Sequence, residues 1–249
     1  MTNKIPQSLL HQTVIVGLRL YCVFSILGGA ATAQIADIVE SGPALIRHSL
    51  KVVLDPQSQS LSVEDTITLP DSMLASPLNF SLNSNLQIRN NPSGLQAVAT
   101  DPPSDEPGIN NTDGLAAAST EYSISLGRSN SNQLVLTYSG TIYDIAEQTS
   151  AEYAQSFAES SGIISEEGVY LNQGSAWVAD FGGDLIRFDV QVEFADSARG
   201  WTAISQGDRL GGNGWRSDQP MEEIYLIAAN FTEYSQQADD VEVLAYLRT

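Results

Sequence analysis

Hydrophobic residues recur at every second position through most of this sequence after residue 45. The clearest case is residues 186–194, where Ile, Phe, Val, Val and Phe alternate with Arg, Asp, Gln and Glu. Residues 50–54 and 61–69 follow the same period, which is typical of half-buried antiparallel strands. Further strands are predicted at 78–83, 121–126, 133–139, 169–173, 201–205, 223–229 and 241–248. Together with the turn residues between them, these strands predict an all-β fold, either a sandwich-like domain or a strongly bent pair of sheets.

One charged residue interrupts an otherwise apolar strand face. Asp65 stands on the face that Leu61, Val63 and Ile67 would bury. A buried carboxylate needs a partner, and an irregular strand can turn such a residue away from the core. We therefore expect either a local partner for Asp65 or a β-bulge at this position.

Two segments depart from the strand pattern. Residues 91–118 are rich in Pro, Asp, Asn, Gly and Ala, a composition that predicts a mobile surface insertion. Residues 145–160 place apolar side chains at helical spacing, which predicts one short inserted helix lying on the β scaffold.

The N-terminal segment has the pattern of an export signal. Lys4 and Arg19 come before or at the start of an apolar stretch at 20–27, and residues 31–33 are Ala-Thr-Ala. The stretch is too short to span a bilayer, which needs about 20 apolar residues, and Ala-x-Ala is a typical cleavage site. Residues 1–33 are therefore predicted to be a signal peptide, giving a periplasmic or secreted protein with no stable membrane span after cleavage. A retained N-terminal membrane anchor is the alternative.

The charge balance argues against nucleic-acid partners. The whole chain has a formal net charge of −19, and the predicted signal contains two of its 11 Lys and Arg residues but none of its 30 Asp and Glu residues. Binding to phosphates needs clustered cations, which this chain lacks. The excess of acid is explained by solubility in an exported setting, and a role in binding cations or basic peptides remains open.

Few residues could carry chemistry. The only Cys, Cys22, lies in the predicted signal, which leaves His48 as the sole histidine beyond it. A catalytic zinc site needs several imidazole, thiolate or carboxylate ligands in close array, so no metal-binding or catalytic residue is predicted. A Ser-His-Asp triad would have to use His48, which we interpret as an ordinary strand histidine. Asp180 and Asp184 could hold a hard cation but are better explained as turn residues.

The order of features from residue 45 onward resembles a known family. Five segments carry the resemblance. They are an opening hairpin at 48–70 that begins His-Ser-Leu-Lys-Val, a Tyr-x-Gly strand at 136–142, a Gly-Val-Tyr-Leu strand followed by Trp177 at 168–177, a run that ends in Ser-x-Gly at 188–207, and a final Ile-Tyr-Leu-Ile-Ala-Ala-Asn-Phe strand at 224–231. They resemble the N-terminal domain of the aminopeptidase N family of gluzincin zinc metallopeptidases, in its bacterial membrane-associated branch.

The resemblance implies a fold and a role. Residues 34–249 would form the family's saddle-shaped antiparallel β domain, which packs on a helical zinc domain that contains His-Glu-x-x-His. That motif is missing from this chain, so zinc would belong only to the missing domain. The chain alone is then not expected to be an enzyme. It would be a truncated, non-catalytic scaffold whose partner is a catalytic metallopeptidase domain in cis or in trans.

One candidate substrate-binding residue follows from the same resemblance. In the family an N-terminal-domain Gln or Glu helps to bind the free amine of the substrate, and Gln173 lies in the corresponding stretch. The sequence departs from the family where Trp177-Val178-Ala179 stands in place of Trp-Tyr-Pro. An apolar docking face is expected in the last third of the chain.

Two other functions remain open at this stage. A free-standing exported β-sandwich that binds peptide or glycan would account for the same strands and for the aromatic residues of the last third. A hydrolase that uses two carboxylates would need a geometry that sequence does not show.

Overall fold

The computed structural model describes most of the chain beyond residue 44. The described residues are 45–74, 77–98, 116–126, 131–144, 160–183, 185–239 and 241–248. The predicted signal peptide at 1–33 and all but the last residue of the predicted helix at 145–160 lie outside them. Among the described residues, the helices are single 3₁₀ turns at Asp71–Met73, Gln173–Ser175 and Asp196–Ala198. None of the helices there is long or apolar enough to cross a membrane.

The fold is all-β and sandwich-like, which confirms the predicted class. Sixteen strands are described. They are β1 (Ile46–Asp55), β2 (Ser60–Thr68), β3 (Leu78–Asn83), β4 (Leu86–Ile88), β5 (Leu95–Ala97), β6 (Ser119–Ile124), β7 (Gln133–Thr141), β8 (Gly162–Ser165), β9 (Gly168–Leu171), β10 (Ile186–Phe194), β11 (Thr202–Ile204), β12 (Asp208–Gly211), β13 (Gly214–Met221), β14 (Leu226–Ala229), β15 (Phe231–Ala238) and β16 (Val241–Arg248).

The largest sheet has seven strands in the order β12-β13-β10-β1-β2-β7-β4. Its strands pair antiparallel except for β1 and β10, which run parallel in register from Ile46 opposite Ile186 to Leu54 opposite Phe194. Alternate residues of the central strands are buried on one face, so this face forms the floor of the core.

Two smaller sheets share the hydrophobic core with the large one, and a two-stranded hairpin forms a fourth sheet. The four-stranded sheet has the order β11-β14-β9-β8 and the three-stranded sheet β3-β6-β5. A paired bridge joins Ser81 of β3 to Asp180, with N–O distances of 2.8 and 3.0 Å. The β15–β16 hairpin pairs only with itself among the described strands.

The ends of the predicted insertion at 91–118 take part in the sheets. Strand β5 pairs with β6, the amide of Ala117 donates to the carbonyl of Gly174 (2.8 Å), and the amide of Ser84 donates to the carbonyl of Ala118 (2.8 Å). Residues 99–115 lie outside the described part of the chain, so mobility there stays a prediction.

Replacing residues 99–115 by a short Gly-Ser turn should leave the melting temperature within about 3 °C, because the closure entropy of a loop changes slowly with its length. Removing residues 91–98 as well should lower it further, because β5 and its pairing with β6 are lost. Calorimetry on the two deletion variants checks this. An equal loss in both would show that residues 99–115 pack on the domain.

Candidate functional site

An open cleft of about 210 Å³ lies beside the starts of β1 and β10. Its other walls come from β3, the start of β6, the segment that joins β9 to β10, and the segment before β14. The residues that line it are Ile46, His48, Ser81, Ala116, Ala117, Ser119, Asn172, Gln173, Gly174, Ala176, Trp177, Val178, Ala179, Asp180, Phe181, Gly183, Ile186, Glu222, Glu223 and Ile224.

The polar lining of the cleft is acidic. Asp180, Glu222 and Glu223 contribute carboxylates, and no Lys or Arg is among its described lining residues. Carboxylates accept hydrogen bonds and attract positive charge. The cleft is therefore chemically suited to a cationic group that carries several N–H donors.

Gln173, the substrate-binding candidate from sequence, lines this cleft. It begins a 3₁₀ turn in which Asn172 caps Ser175, because the amide of Ser175 donates to Asn172 Oδ1 at 3.2 Å. The backbone amide of Gln173 donates to Glu223 Oε2 at 2.8 Å. The side chain of Gln173 is exposed, so the turn presents its amide to the cleft on a backbone that Glu223 holds.

A second set of bonds holds the opposite wall. The side chain of Gln206 donates to the carbonyl of Glu223 (3.2 Å) and accepts from the amide of Tyr225 (2.9 Å). The hydrogen bond to the carboxylate of Glu223, together with its charge, raises the pKa of the Tyr225 hydroxyl. The carboxylate of Glu223 is thus used in hydrogen bonds within the protein, whereas the side chain of Glu222 is exposed.

Trp177 forms the floor of the cleft. Its side chain is fully buried, and its indole Nε1 donates to the carbonyl of Ile224 at 3.0 Å. Ala176, just before it, has a left-handed φ of 47°. This turn carries the chain from the exposed Gln173 to the buried Trp177 within a few residues.

His48 and Asp65 form a buried polar pair at the cleft. His48 Nδ1 and Asp65 Oδ2 are 2.8 Å apart, and the side chains are 1% and 0% exposed. Strands β1 and β2 pair without a bulge, with Leu50 opposite Asp65 and His48 opposite Ile67, so the two side chains are diagonal neighbours on one face. The local partner expected for Asp65 is therefore His48.

The interpretation of His48 as an ordinary strand histidine missed this placement on the cleft. A signal was present in the sequence: a histidine and an aspartate each occupy a core-facing position in two strands that form a predicted hairpin. Whether the two side chains contact each other depends on the register in which the two strands pair.

Tyr138 of β7 is a further polar side chain in the core near Asp65. It is fully buried, and burial raises the pKa of its hydroxyl well above the usual value, with the charge of Asp65 adding to the rise. Neither Tyr138 Oη nor Asp65 Oδ1 has a hydrogen-bond partner. The core around Asp65 therefore carries an electrostatic cost that the bond to His48 only partly offsets.

The structure does not assemble a metal site from the described residues. No group of three His, Cys, Asp or Glu side chains there could hold a metal ion. Asp180 Oδ1 accepts from the amide of Gly182 at 2.9 Å, as a turn residue does, and Asp184 lies outside the described residues.

An apolar stripe crosses the outer face of the four-stranded sheet. Ile163 lies opposite Tyr170, Tyr170 opposite Ile227, and Ile227 opposite Ile204, so four neighbouring strands contribute to one row. Tyr170 and Ile227 are each 37% exposed. This row, called the apolar stripe below, lies where an apolar face was expected from sequence.

Comparisons with known proteins found similar solved structures. No protein-family model matches the chain, and no curated protein matches it in sequence. The similar structures include an M1 zinc metallopeptidase from Deinococcus radiodurans, with 16% identity and a TM-score of 0.47 over 80% of this chain and 45% of that one. An aminopeptidase N family protein from Idiomarina loihiensis has 12% identity and a TM-score of 0.42 over 80% of this chain and 32% of that one.

Native yeast LTA4 hydrolase is a further similar structure, with 11% identity and a TM-score of 0.47 over 81% of this chain and 31% of that one. This chain thus spans less than half the length of each of these three proteins. The first two carry the names of the peptidase family that the sequence resembles.

Proposed function

We propose that this chain is an exported, non-catalytic scaffold domain of an aminopeptidase-like zinc metallopeptidase. It forms one wall of a cleft for peptides and supports a catalytic domain in cis or in trans. The observation that carries this proposal is the open acidic cleft in which Gln173, Asp180, Glu222 and Glu223 converge.

The cleft suits the free amino end of a peptide. An α-ammonium group has three N–H donors and a positive charge, and it loses hydration when it enters a cleft. Carboxylates and an amide oxygen replace the lost water contacts with charge-assisted hydrogen bonds. Gln173 and Glu222 are the exposed side chains among the carboxylates and amides of this lining, so we assign them to the direct contact and Glu223 to the support of the turn.

The apolar stripe supports the second half of the proposal. A row of apolar side chains across a sheet face is typical of a surface that another domain covers. The stripe includes Tyr170 of β9 and Ile227 of β14, and the segments next to these two strands line the cleft. A domain seated on the stripe would therefore lie beside the cleft, as a catalytic partner has to do.

The test is binding of a small free-amine peptide to the chain by titration calorimetry. Tri-alanine should bind, and N-acetyl-tri-alanine should not. Gln173→Ala and Glu222→Gln should each weaken binding about tenfold or more, because a hydrogen bond to a charged group contributes about 1.5 to 3 kcal/mol. Glu166→Gln, an exposed turn carboxylate outside the lining, is the matched control and should bind normally.

Two outcomes would contradict the proposal. Equal binding of the free and the acetylated peptide would show that the cleft does not recognise the free amine of the peptide. Hydrolysis of amino-acid anilides by the chain alone, with or without added zinc, would show that it is itself the catalyst.

The alternative function, a free-standing exported module that binds peptide, shares the cleft but needs no docking face. The scaffold function predicts that the folded chain binds a hydrophobic dye such as bis-ANS at the apolar stripe. Tyr170→Glu and Ile227→Glu should reduce the dye signal severalfold, because a charge in the row breaks the apolar area. Val53→Glu, an exposed single valine on the large sheet, should leave the signal unchanged. A dye-silent monomer would favour the free-standing module.

A further inference from the structure

His48 is the one buried titratable side chain that lines the cleft. It lies on the inner face of β1, and its ring centre is 6.4 Å from that of Phe181 across the cleft wall. Because it lines the cleft, His48 is a candidate for direct contact with a ligand.

The bond to Asp65 sets the chemistry of the ring. A carboxylate can only accept hydrogen bonds, so the proton of a neutral His48 ring lies on Nδ1, which donates to Asp65 Oδ2. The other ring nitrogen, Nε2, then carries a lone pair. Asp65 thus fixes His48 as an acceptor on the side of the ring that faces away from it.

The groups around His48 determine which kind of ligand group can bind to it. Asp65 of β2 is bonded to the ring, and Tyr138 of β7 lies next to Asp65. On the cleft side the charged groups are Asp180, Glu222 and Glu223. All of these groups except the Tyr138 hydroxyl are acceptors when ionised, so a ligand that fills the cleft has to bring the donors.

We infer that His48 binds the ligand, with Nε2 accepting an N–H from the amino-terminal end of the peptide, and that Asp65 is its positioning residue. This inference rests on the proposed function. Only 1% of His48 is exposed, which limits the contact to one small donor group. An α-ammonium or the first peptide N–H fits this limit, whereas a long side chain does not.

The experiment is imidazole ¹⁵N spectroscopy of the wild-type chain during titration with tri-alanine. The chain has two histidines, and His11→Gln assigns the His48 signals. The Nδ1 signal should be of the protonated type throughout, and the Nε2 signal should move with saturation of the peptide. N-acetyl-tri-alanine should leave both signals in place.

Variants separate a role in binding from a role in structure. His48→Gln should weaken binding of tri-alanine about tenfold or more. Asp65→Asn should shift the tautomer signature of His48 and weaken binding. Lys51→Gln, on the opposite face of β1 and opposite Glu64 of β2, should change neither. Near-UV circular dichroism confirms that each variant is folded.

The outcomes of these experiments distinguish the role of His48 from the proposed scaffold function. Normal binding of tri-alanine with an unmoved Nε2 signal would overturn the role of His48 and leave the scaffold function standing. Absence of binding to the wild-type chain would overturn both. If a variant fails to fold, the wild-type titration still decides.

Discussion

Asp65→Ala should lower the free energy of unfolding by about 1 to 3 kcal/mol, because it leaves the buried Nδ1 of His48 without its hydrogen-bond partner. Asp65 is fully buried in the centre of the large sheet, and its bond to His48 Nδ1 is 2.8 Å long. In the variant, a buried imidazole has to keep an unbonded N–H or give up its proton from Nδ1. Neither state is compensated by the apolar side chains around it.

The double replacement His48→Leu/Asp65→Leu should recover most of this loss and end within about 1 kcal/mol of the wild type. Buried polar pairs that include a charged group can often be replaced by apolar residues of similar volume without loss of stability. The replacement also removes Asp65 Oδ1, which has no hydrogen-bond partner. Urea unfolding of His48→Leu, Asp65→Leu and the double variant gives the coupling free energy between the two positions.

Glu64→Gln is the matched control. It makes the same change in net charge on the same strand, but on the exposed face, where Glu64 pairs with Lys51 at 2.8 Å. An exposed pair contributes at most about 1 kcal/mol. If Glu64→Gln and Asp65→Ala cost the same, the stability of the domain follows its net charge and the buried pair is not special.

The strands that the sequence predicted best are those with one buried face. Strands β3 and β10 have the predicted bounds, because alternation marks both the strand and its inner face. Strand β16 also has the predicted bounds, although most of its residues are exposed. Short strands without alternation were not predicted. Strand β12 is wholly exposed, and β5 falls in a polar segment, so hydrophobic periodicity gave no sign of either.

The sequence pattern could not predict which strands pair when they lie far apart in the chain. The parallel pair of β1 and β10 joins residues about 140 positions apart, and nothing local in either strand specifies its direction or its partner. The same holds for the cleft. Gln173 was identified through a family resemblance, but Glu223 reaches its amide only because β9 and β14 pair in the four-stranded sheet.

Trp177→Ala should lower the free energy of unfolding by about 3 to 5 kcal/mol and should also abolish binding of tri-alanine. Trp177 is among the largest fully buried side chains of the described core, so its removal leaves a cavity as well as lost apolar contact. Its indole also holds the carbonyl of Ile224, next to Glu223. Loss of the indole should therefore loosen both walls of the cleft.

Trp177→Phe separates packing from hydrogen bonding. It keeps most of the apolar volume but leaves the carbonyl of Ile224 without its donor, which should cost about 1 to 3 kcal/mol. Peptide binding should weaken only partly, because the floor of the cleft remains filled. Urea unfolding and calorimetric titration with tri-alanine measure the two effects on the same samples.

Trp215→Phe is the matched control for Trp177→Phe. The indole of Trp215 donates to the carbonyl of Ala203 at 2.9 Å, and its side chain is also buried, but it does not line the cleft. We therefore expect a similar loss of stability with unchanged affinity for tri-alanine. If Trp215→Phe weakened binding as much as Trp177→Phe, the cleft would be responding to the general loss of stability. In that case the bond from Trp177 to Ile224 would have no separate part in shaping the peptide site.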